Sequence, residues 1–311
     1  MYLQTIKAEK SFLNQLETVI DRRRLLVDEP MSRHTTFRIG GPADYLILPS
    51  SAEEVAAVLS IARSHGVPVT ILGNGSNVLV LDNGVRGAVV KFGETMGYIR
   101  HDGDVVIAGA GASLGDVSRF AASCELTGLE FAVGIPGSIG GAVFMNAGAY
   151  DGEISNVVSA VTAVCQSGGK LKRFTREEIR FGYRDSVFQH NDCIVCEVEL
   201  TLKYGENSDI QQKMEDYTSR REAKQPIEMP SAGSTFKRPP GYFAGTLIEQ
   251  AGLKGFNIGG AQVSEKHAGF IVNAGGATAA DVLALIGEVQ RRVHAEFGVK
   301  LHPEVRIIGE G

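Results

Sequence analysis

Three short polar segments carry the side chains best suited to proton transfer or anion binding. Arg184 lies in Phe-Gly-Tyr-Arg-Asp-Ser, Ser234 in Gly-Ser-Thr-Phe-Lys-Arg-Pro, and Glu304 in His-Pro-Glu-Val-Arg. A guanidinium can hold a carboxylate through two parallel hydrogen bonds, and hydroxyl and carboxyl groups can donate or accept protons. Structural interpretations compete with each role. Ser234 could cap a turn after Gly233, Glu304 could be an exposed terminal glutamate, and Arg184 with Asp185 could form a surface pair worth under about 1 kcal/mol.

A glycine-rich stretch from Gly134 to Glu153 dominates the middle of the chain. It holds six of the 38 glycines, and only Asp151 and Glu153 in it are charged. Glycine supplies no packing surface and costs conformational entropy, so such a density indicates backbone that runs close to a ligand. A run of tight turns between strands is the alternative.

A second glycine-rich segment, Gly-Asn-Gly-Ser-Asn at residues 73–77, lies between two apolar strands predicted at 69–72 and 78–81. It is not a dinucleotide-binding fingerprint of the Rossmann type, because that motif needs a helix directly after the loop. Successive backbone N–H groups can nevertheless form an anion-binding nest, with Ser76 and Asn77 adding side-chain donors. A plain hairpin connection is the alternative.

Helices and strands that would position these segments follow from hydrophobic periodicity. Helices are predicted over residues 10–24, 51–65, 113–127, 206–224, 244–251 and 279–297. Further strands are predicted over residues 45–48, 87–92, 104–108, 157–165, 194–204 and 270–273. Capping signals begin three helices, at Ser51 with Glu54, Ser113 with Asp116 and Thr278 with Asp281, and Gly66 and Gly298 end two of them.

Length and composition limit the possible functions. At 311 residues the chain is long enough for two or three domains, with a composition change near residue 205. It has 43% hydrophobic and 22% charged residues and no apolar run of bilayer length, so we expect no membrane insertion. The first residues lack an apolar signal core, which favours a cytoplasmic protein. A net charge of −5 argues against nucleic-acid binding.

The four cysteines, at 124, 165, 193 and 196, show no disulfide or zinc framework. Cys193 and Cys196 form a Cys-x-x-Cys pair, but they lie in a predicted strand where a separation of three points them to opposite faces. We therefore predict neither a redox role nor a metal site.

The ordered motifs closely resemble those of one family. The blocks at residues 73–77, 134–150, 181–186, 233–239 and 302–306 follow the order and spacing of the UDP-N-acetylenolpyruvoylglucosamine reductase (UDP-N-acetylmuramate dehydrogenase, MurB) family over about residues 30–308. The short segment between Arg184 and Gly233 resembles the shorter form of the family, which lacks a tyrosine-bearing loop. The resemblance implies an α+β fold: a two-subdomain FAD-binding module of the vanillyl-alcohol-oxidase type at 1–205 (subdomains about 1–84 and 85–205), and a C-terminal α+β substrate-binding domain at 206–311.

The family resemblance also implies an activity in peptidoglycan precursor synthesis. NADPH would reduce FAD, and the flavin would pass hydride to the enolpyruvyl group of a UDP-sugar. Pro42 follows Gly41 where covalent relatives carry a histidine, so we expect non-covalent FAD. We also expect a monomer.

The resemblance assigns site residues in three groups. The catalytic group is Arg184 and Glu304 at the substrate carboxylate and Ser234 as proton donor. The FAD-binding group is Gly73, Asn74, Gly75, Ser76, Asn77, Gly134, Ile135, Pro136, Gly137, Ser138, Gly140, Gly141, Asn146, Gly148 and Ala149. Candidate substrate contacts are Tyr150, Tyr183, Arg221, Lys224, His267 and Arg306, and the positive charges of Arg221, Lys224, Lys237 and Arg238 suit a pyrophosphate in an otherwise acidic protein.

Two other function classes remain open at the level of sequence. An FAD oxidase or dehydrogenase of an alcohol or hydroxy acid would use the same flavin module, but the missing attachment histidine and the Ser234/Glu304 pair argue against it. A flavin-binding sensor without turnover would not require Arg184, Ser234 and Glu304 together.

Overall fold

A computed structural model describes residues 11–167 and 169–311. The chain folds into two compact units. Unit 1 comprises the described residues of Met1–Val27, Tyr45–Asn74 and Gly87–Ser219, and unit 2 comprises Asp28–Asp44, Gly75–Arg86 and Arg220–Gly311. Both units are discontinuous in sequence, because two N-terminal segments complete unit 2, whereas the domains predicted from sequence are continuous ranges.

The helices occupy most of the positions that periodicity predicts. They are α1 (residues 11–16), α2 (Ala52–His65), α3 (Leu114–Ser123), α4 (Ile139–Met145), α5 (Arg176–Ile179), α6 (Asn207–Lys224), α7 (Ala244–Gln250) and α8 (Ala279–Phe297). The predicted bounds of α8 are confirmed, and so are its Thr278/Asp281 capping box and its Gly298 terminus. Residue 10 of the first predicted helix lies outside the described residues. The prediction that this helix continues to residue 24 is wrong, because α1 ends at residue 16 and Arg22–Arg24 form a separate short 3-10 helix.

The strands are short and numerous. In the first half of the chain they are β1 (Leu25–Pro30), β2 (Pro42–Ile47), β3 (Val69–Leu72), β4 (Val78–Val80), β5 (Val85–Lys91), β6 (Ile99–Asp102), β7 (Val105–Gly109), β8 (Leu126–Thr127), β9 (Gly148–Ala149) and β10 (Gly152–Glu153). In the second half they are β11 (Val158–Cys165), β12 (Lys170–Thr175), β13 (Cys193–Thr201), β14 (Lys203–Tyr204), β15 (Ser231–Ser234), β16 (Asn257–Ile258), β17 (Ala261–Val263), β18 (Phe270–Asn273) and β19 (Arg306–Ile308).

Unit 1 is built on an antiparallel sheet with the strand order β12-β11-β13-β7-β6. Its buried residues form one continuous core with the apolar faces of α2 and α3 and with α4, which packs on β13. In the same unit β3 pairs with β5 in parallel, after a connection through residues 73–84. The side chain of Ser51 caps α2 and Gly66 ends it in the left-handed conformation, as predicted.

Unit 2 has its own core. The strands of its antiparallel sheet follow the order β15-β18-β17-β16, and α8 packs on β16 and β17 through Val282, Leu285, Ile286 and Val289. The C-terminal strand β19 pairs in parallel with β4, so the end of the chain is tied to residues 78–80. Asp82 accepts hydrogen bonds from the N–H groups of Ala279 and Ala280 at the start of α8.

Some predicted features are wrong. Helix α3 ends at Ser123, four residues early, and the side chain of Ser113 makes no capping hydrogen bond, while Asp116 pairs instead with Arg119. Helix α4 was not predicted, because its segment Ile-Gly-Gly-Ala-Val-Phe-Met has two glycines of low helix propensity. Strand β12 and helix α5 lie inside the segment that the sequence indicated only as a charged connection.

The prediction that the cysteines form no disulfide is also wrong. Cys165 and Cys193 are directly opposed in the β11–β13 ladder and are joined by a disulfide. Sequence spacing could not reveal this pair, since it depends on the register between two strands 28 residues apart. Cys196 is a free, buried cysteine, and burial raises the pKa of its thiol to about 12.

Among the described residues, no helix combines the length and the apolarity that crossing a bilayer requires.

Candidate active site

Helix α4 is the central element of the glycine-rich stretch in unit 1. The Ser138 hydroxyl caps its start by accepting a hydrogen bond from the N–H of Gly141 at 3.3 Å. Asn146 ends it in the left-handed conformation, with φ of 44°. Gly140 must be glycine for internal packing, because a Cβ there would lie 2.8 Å from the Cβ of Ala110. Part of the glycine density therefore reflects close packing within the protein, in addition to any ligand.

The start of the 73–77 segment lies against the residues that precede α4. A Cβ on Gly73 would collide with the Ser138 hydroxyl, and the Asn74 side-chain amide donates to the Pro136 carbonyl at 3.4 Å. In the described part of unit 1, no group accepts a hydrogen bond from the backbone N–H of Asn74, Gly137 or Ser138. Neighbouring unpaired N–H groups are the donors that an anionic ligand needs.

The buried side chain of Asn146 connects α4 to two further segments. Its amide donates to the Gly182 carbonyl at 3.0 Å, and its oxygen accepts from the N–H of Ser155 at 3.0 Å. It is 2% exposed. The amide thus attaches the segment that carries Arg184 to the C-terminal end of α4.

Arg184 occupies a tight turn in which Gly182 and Asp185 exchange backbone hydrogen bonds. Its φ is 54°, in the left-handed region, and its carbonyl accepts a hydrogen bond from the Gln189 side chain at 2.9 Å. The guanidinium donates to the Gly148 carbonyl at 3.3 Å and lies 5.5 Å from the centre of the Tyr183 ring. Arg184, Tyr183 and Gly148, which were predicted as site residues, are therefore neighbours within unit 1.

Tyr150 stacks on a residue that sequence analysis did not single out. Its ring lies 4.4 Å from that of Tyr217, at an interplanar angle of 10°, and its hydroxyl donates to the Tyr217 carbonyl at 2.8 Å. Tyr150 also has a left-handed φ of 56°. Tyr217 belongs to the polar helix α6, whose periodicity gave no signal for a site residue.

In unit 2, Ser234 and Glu304 lie on adjacent backbone segments. The N–H of Glu304 donates to the Thr235 carbonyl at 2.8 Å, and Phe236 forms a bridge with Pro303. On its other side Ser234 pairs with Phe270 in the β15–β18 ladder. Two of the three predicted catalytic residues are thus brought together by main-chain hydrogen bonds.

The Ser234 hydroxyl is not used for capping. The residue is exposed at the end of β15, and its hydroxyl has no hydrogen-bond partner among the described residues. The neighbouring Thr235 has the structural role instead, because its buried hydroxyl accepts from the N–H of Ile271 at 3.0 Å. The capping interpretation of Ser234 is therefore wrong, and its hydroxyl is available to a ligand.

The end of the 73–77 segment lies beside Glu304 in unit 2. The Asn77 side chain donates to the Glu304 carbonyl at 3.3 Å, and the Asn77 carbonyl accepts from the N–H of Arg306 at 2.9 Å. Gly75 has a φ of 64°, and a Cβ on it would lie 2.8 Å from the Cα of Thr35. No described residue of unit 2 accepts a hydrogen bond from the backbone N–H of Gly75 or of Ser76, so unit 2 also offers anion donors here.

The remaining predicted substrate contacts belong to unit 2. Arg221 and Lys224 are in the last turn of α6, and Arg306 is exposed at the start of β19. His267 is partly buried, and its Nδ1 accepts from the N–H of Gly269 at 3.0 Å. Burial lowers the pKa of His267 below its ordinary value of 6.5.

A surface cavity of about 330 Å³ lies elsewhere in unit 2. It is lined by Gln290, Arg291, His294, Lys300, Leu301 and His302. None of the predicted site residues lines it, so it lends no support to the candidate site.

Comparisons with known proteins agree with the motifs. A family model described as the C-terminal domain of UDP-N-acetylenolpyruvoylglucosamine reductase matches residues 225–308, and one described as an FAD binding domain matches residues 43–175. The UDP-N-acetylenolpyruvoylglucosamine reductase of Clostridium perfringens (strain SM101 / Type A) is 51% identical over 308 residues, which cover 99% of this chain and 98% of that protein.

Solved structures give the same result. The crystal structure of UDP-N-acetylenolpyruvylglucosamine reductase from Thermus caldophilus matches with a TM-score of 0.77 and 38% identity, over 91% of this chain and 98% of that one. A 4-ethylphenol oxidase from Gulosibacter chungangensis matches with a TM-score of 0.50 and 16% identity, over 63% of this chain and 43% of that one, which shows a shared fold alone. The predicted fold class is confirmed. With half of its residues identical to a relative over nearly the whole length of both, the chain belongs to the UDP-N-acetylenolpyruvoylglucosamine reductase family.

Proposed function

We propose that this protein reduces the enolpyruvyl group of UDP-N-acetylenolpyruvoylglucosamine to UDP-N-acetylmuramate, with NADPH as reductant and FAD as cofactor. The observation that carries the proposal is the 51% identity over 99% of the chain to a protein of that name. The reaction belongs to peptidoglycan precursor synthesis, and we propose that it takes place in the cytoplasm, by a monomer.

The residues of the glycine-rich segments fit FAD. The backbone N–H groups of Asn74, Gly137 and Ser138 have no acceptor among the described residues of unit 1 and are donors suited to a pyrophosphate. Within unit 2, Gly75 and Ser76 offer N–H groups of the same kind. A polyanion would give these amides the partners that backbone groups ordinarily have in a folded protein. Non-covalent binding is proposed because Pro42 follows Gly41 and offers no nucleophile for attachment.

When bound, FAD would take hydride from NADPH and deliver it to the β-carbon of the enolpyruvyl double bond. Hydride addition drives negative charge onto the substrate carboxylate, so that group needs positive or protonated partners in a water-poor site. Arg184 is proposed to hold the carboxylate through its guanidinium. A guanidinium has five N–H donors, so it can bind a protein carbonyl such as that of Gly148 and a ligand carboxylate together.

Ser234 is proposed to supply the proton to the α-carbon. Its exposed hydroxyl has no structural partner among the described residues, and main-chain hydrogen bonds place it near Glu304. A serine is a weak acid, so donation depends on the developing negative charge and on cations such as Lys224 or Arg221. Glu304 would lie beside the substrate acid group, where sharing a proton or a hydrogen bond would avoid repulsion between two carboxylates.

Binding of the UDP group is assigned to positive and aromatic side chains. Arg221, Lys224, Lys237 and Arg238 are proposed for the pyrophosphate, since they concentrate positive charge in a chain of net charge −5. Further proposed substrate contacts are Tyr150, Tyr183, His267 and Arg306. We also propose domain functions of FAD binding for about 1–205 and substrate binding for 206–311.

The decisive experiment follows the NADPH absorbance band of the purified, yellow protein with and without UDP-N-acetylenolpyruvoylglucosamine. We expect oxidation of NADPH that depends on the UDP-sugar, with UDP-N-acetylmuramate identified by mass spectrometry. Oxygen consumption with an alcohol and no response to the UDP-sugar would instead identify an oxidase. A yellow protein that NADPH does not reduce would support a flavin-binding protein without turnover, and a colourless protein that refuses added FAD would remove the cofactor assignment altogether.

A further inference from the structure

Two cysteines of unit 1 lie where a covalent bond between neighbouring strands can form. Cys165 ends β11 and Cys193 begins β13, and the two residues are register partners joined by a disulfide. Both are only partly buried, so a small reagent in solution can reach their sulfur atoms. The assigned chemistry of flavin, UDP-sugar and proton donor does not use either cysteine.

Hydrogen bonds also join the end of β11 to the start of β13, independently of the sulfur–sulfur bond. The N–H of Gln166 donates to the Asp192 carbonyl at 3.0 Å, and the N–H of Ser167 donates to the Asp192 carboxylate at 2.6 Å. These bonds do not depend on the oxidation state of the cysteines. The reduced protein therefore keeps its two thiols adjacent, which favours a bond between them over a lasting bond to an external thiol.

The bond closes a ring that contains much of the sheet edge. The ring runs from residue 165 to residue 193 and contains edge strand β12, helix α5 and the turn that carries Arg184. Most side chains of β12 are exposed, including Lys170, Lys172 and Arg173. Closing the ring restricts local unfolding of this sheet edge, and it is such unfolding that would expose the backbone of β12 to solvent.

We propose that Cys165 and Cys193 are a reversible thiol–disulfide modification site, oxidised by low-molecular-weight disulfides of the glutathione class, and that oxidation locks the 165–193 ring. One cysteine thiolate attacks the reagent disulfide, forms a mixed disulfide and releases one reagent thiolate. The second cysteine thiolate then attacks the protein sulfur of that mixed disulfide and releases the other reagent thiolate. Two electrons pass from the cysteines to the reagent, and the two protons that the cysteines lose protonate the released thiolates.

The other two cysteines provide internal controls. Cys124 is partly exposed but free, and Cys196 is buried with a raised thiol pKa, so it is a poor nucleophile. An exposed cysteine without a partner should end as a mixed disulfide with the reagent. The paired cysteines should end bonded to each other.

The test incubates the protein in reduced and oxidised glutathione at a series of ratios and traps remaining thiols with a maleimide. Fragmentation of the tryptic peptides in the mass spectrometer then assigns each modification to one cysteine, because the peptide with Cys165 also contains Cys124 and the peptide with Cys193 also contains Cys196. We expect a reversible loss of three thiols per chain: two in one cross-link between Cys165 and Cys193, and one at Cys124, which should carry glutathione. In Cys165→Ser and in Cys193→Ser the remaining cysteine should carry glutathione instead, while Cys124→Ser should form the cross-link normally. Both thiols staying free in fully oxidised buffer, or glutathione persisting on both cysteines of the unmodified protein, would overturn the modification site.

Ring locking has a separate readout. Trypsin should cut after Lys170, Lys172 or Arg173 several-fold more slowly in the oxidised protein than in the reduced protein. Cleavage of Cys165→Ser should not respond to the glutathione ratio. Equal rates in the oxidised and reduced forms of a protein whose cross-link is verified would refute the locking.

Discussion

Replacement of Asn146 by alanine tests whether one buried amide holds the Arg184 segment in place. The change removes hydrogen bonds of 3.0 Å to the Gly182 carbonyl and 3.0 Å from the N–H of Ser155, at a side chain that is 2% exposed. A buried polar group left without a partner costs about 1–3 kcal/mol. Alanine also tolerates the left-handed backbone at φ 44° poorly, which adds about 1 kcal/mol. The Gly182 carbonyl still accepts from the N–H of Asp185, so only the N–H of Ser155 loses its partner. We therefore expect the free energy of unfolding to fall by about 2–4 kcal/mol, a large part of a typical total of about 5–15 kcal/mol.

Urea unfolding of the flavin-loaded protein, followed by circular dichroism, measures this loss. Asn146→Gly is the matched control, because glycine adopts the left-handed conformation without strain but makes neither side-chain bond. It should be more stable than Asn146→Ala by about 1 kcal/mol and still well below the unmodified protein. If the alanine variant loses less than about 0.5 kcal/mol, which is within the range of ordinary surface substitutions, the amide does not hold the segment and the reasoning is wrong.

Three further predictions address the site and its surroundings. Ser234→Ala should retain FAD and its reduction by NADPH in stopped-flow traces, while turnover falls by about 10²–10⁴ as expected for loss of a positioned acid; loss of flavin reduction would contradict the role. His267 has a lowered pKa, so its neutral form stabilises the folded state above the unfolded pKa of 6.5, and this contribution is lost as pH falls towards the folded pKa. Urea midpoints should therefore fall less between pH 7.5 and about 5.5 in His267→Gln than in the unmodified protein, and an equal fall would argue against the histidine as the cause. Gly140→Ala places a Cβ 2.8 Å from that of Ala110 and should cost about 1–3 kcal/mol in urea unfolding, whereas unchanged stability would show that the backbone there yields easily.

Elements with strong local signals could be predicted well from sequence. Helix α8 has an apolar stripe, a capping box and a terminal glycine that all agree, and its bounds are as predicted. Ser51 and Gly66 likewise set the limits of α2. The prediction fails where the intrinsic helix propensity is weak. Helix α4 is an example, because its two glycines disfavour a helix and packing against β13 stabilises it instead.

Contacts that depend on register or on distant segments could not be predicted from spacing. The Cys165–Cys193 pair follows from the alignment of β11 with β13, and the Tyr150–Tyr217 stack joins a glycine-rich loop to a polar helix. The candidate site residues themselves were found because their motifs resemble those of a known family. Their neighbours within each unit, such as Asn77 beside Glu304, became visible only in three dimensions.

A hydrogen bond of the peptide backbone helps to set the placement of Ser234 relative to Glu304. The bond from the Glu304 N–H to the Thr235 carbonyl survives any replacement that keeps an N–H group. The Ser234 side chain can therefore be exchanged without breaking this bond. A kinetic loss in Ser234→Ala would report the missing hydroxyl directly, whereas Glu304→Pro would remove the N–H itself and disturb the geometry as well.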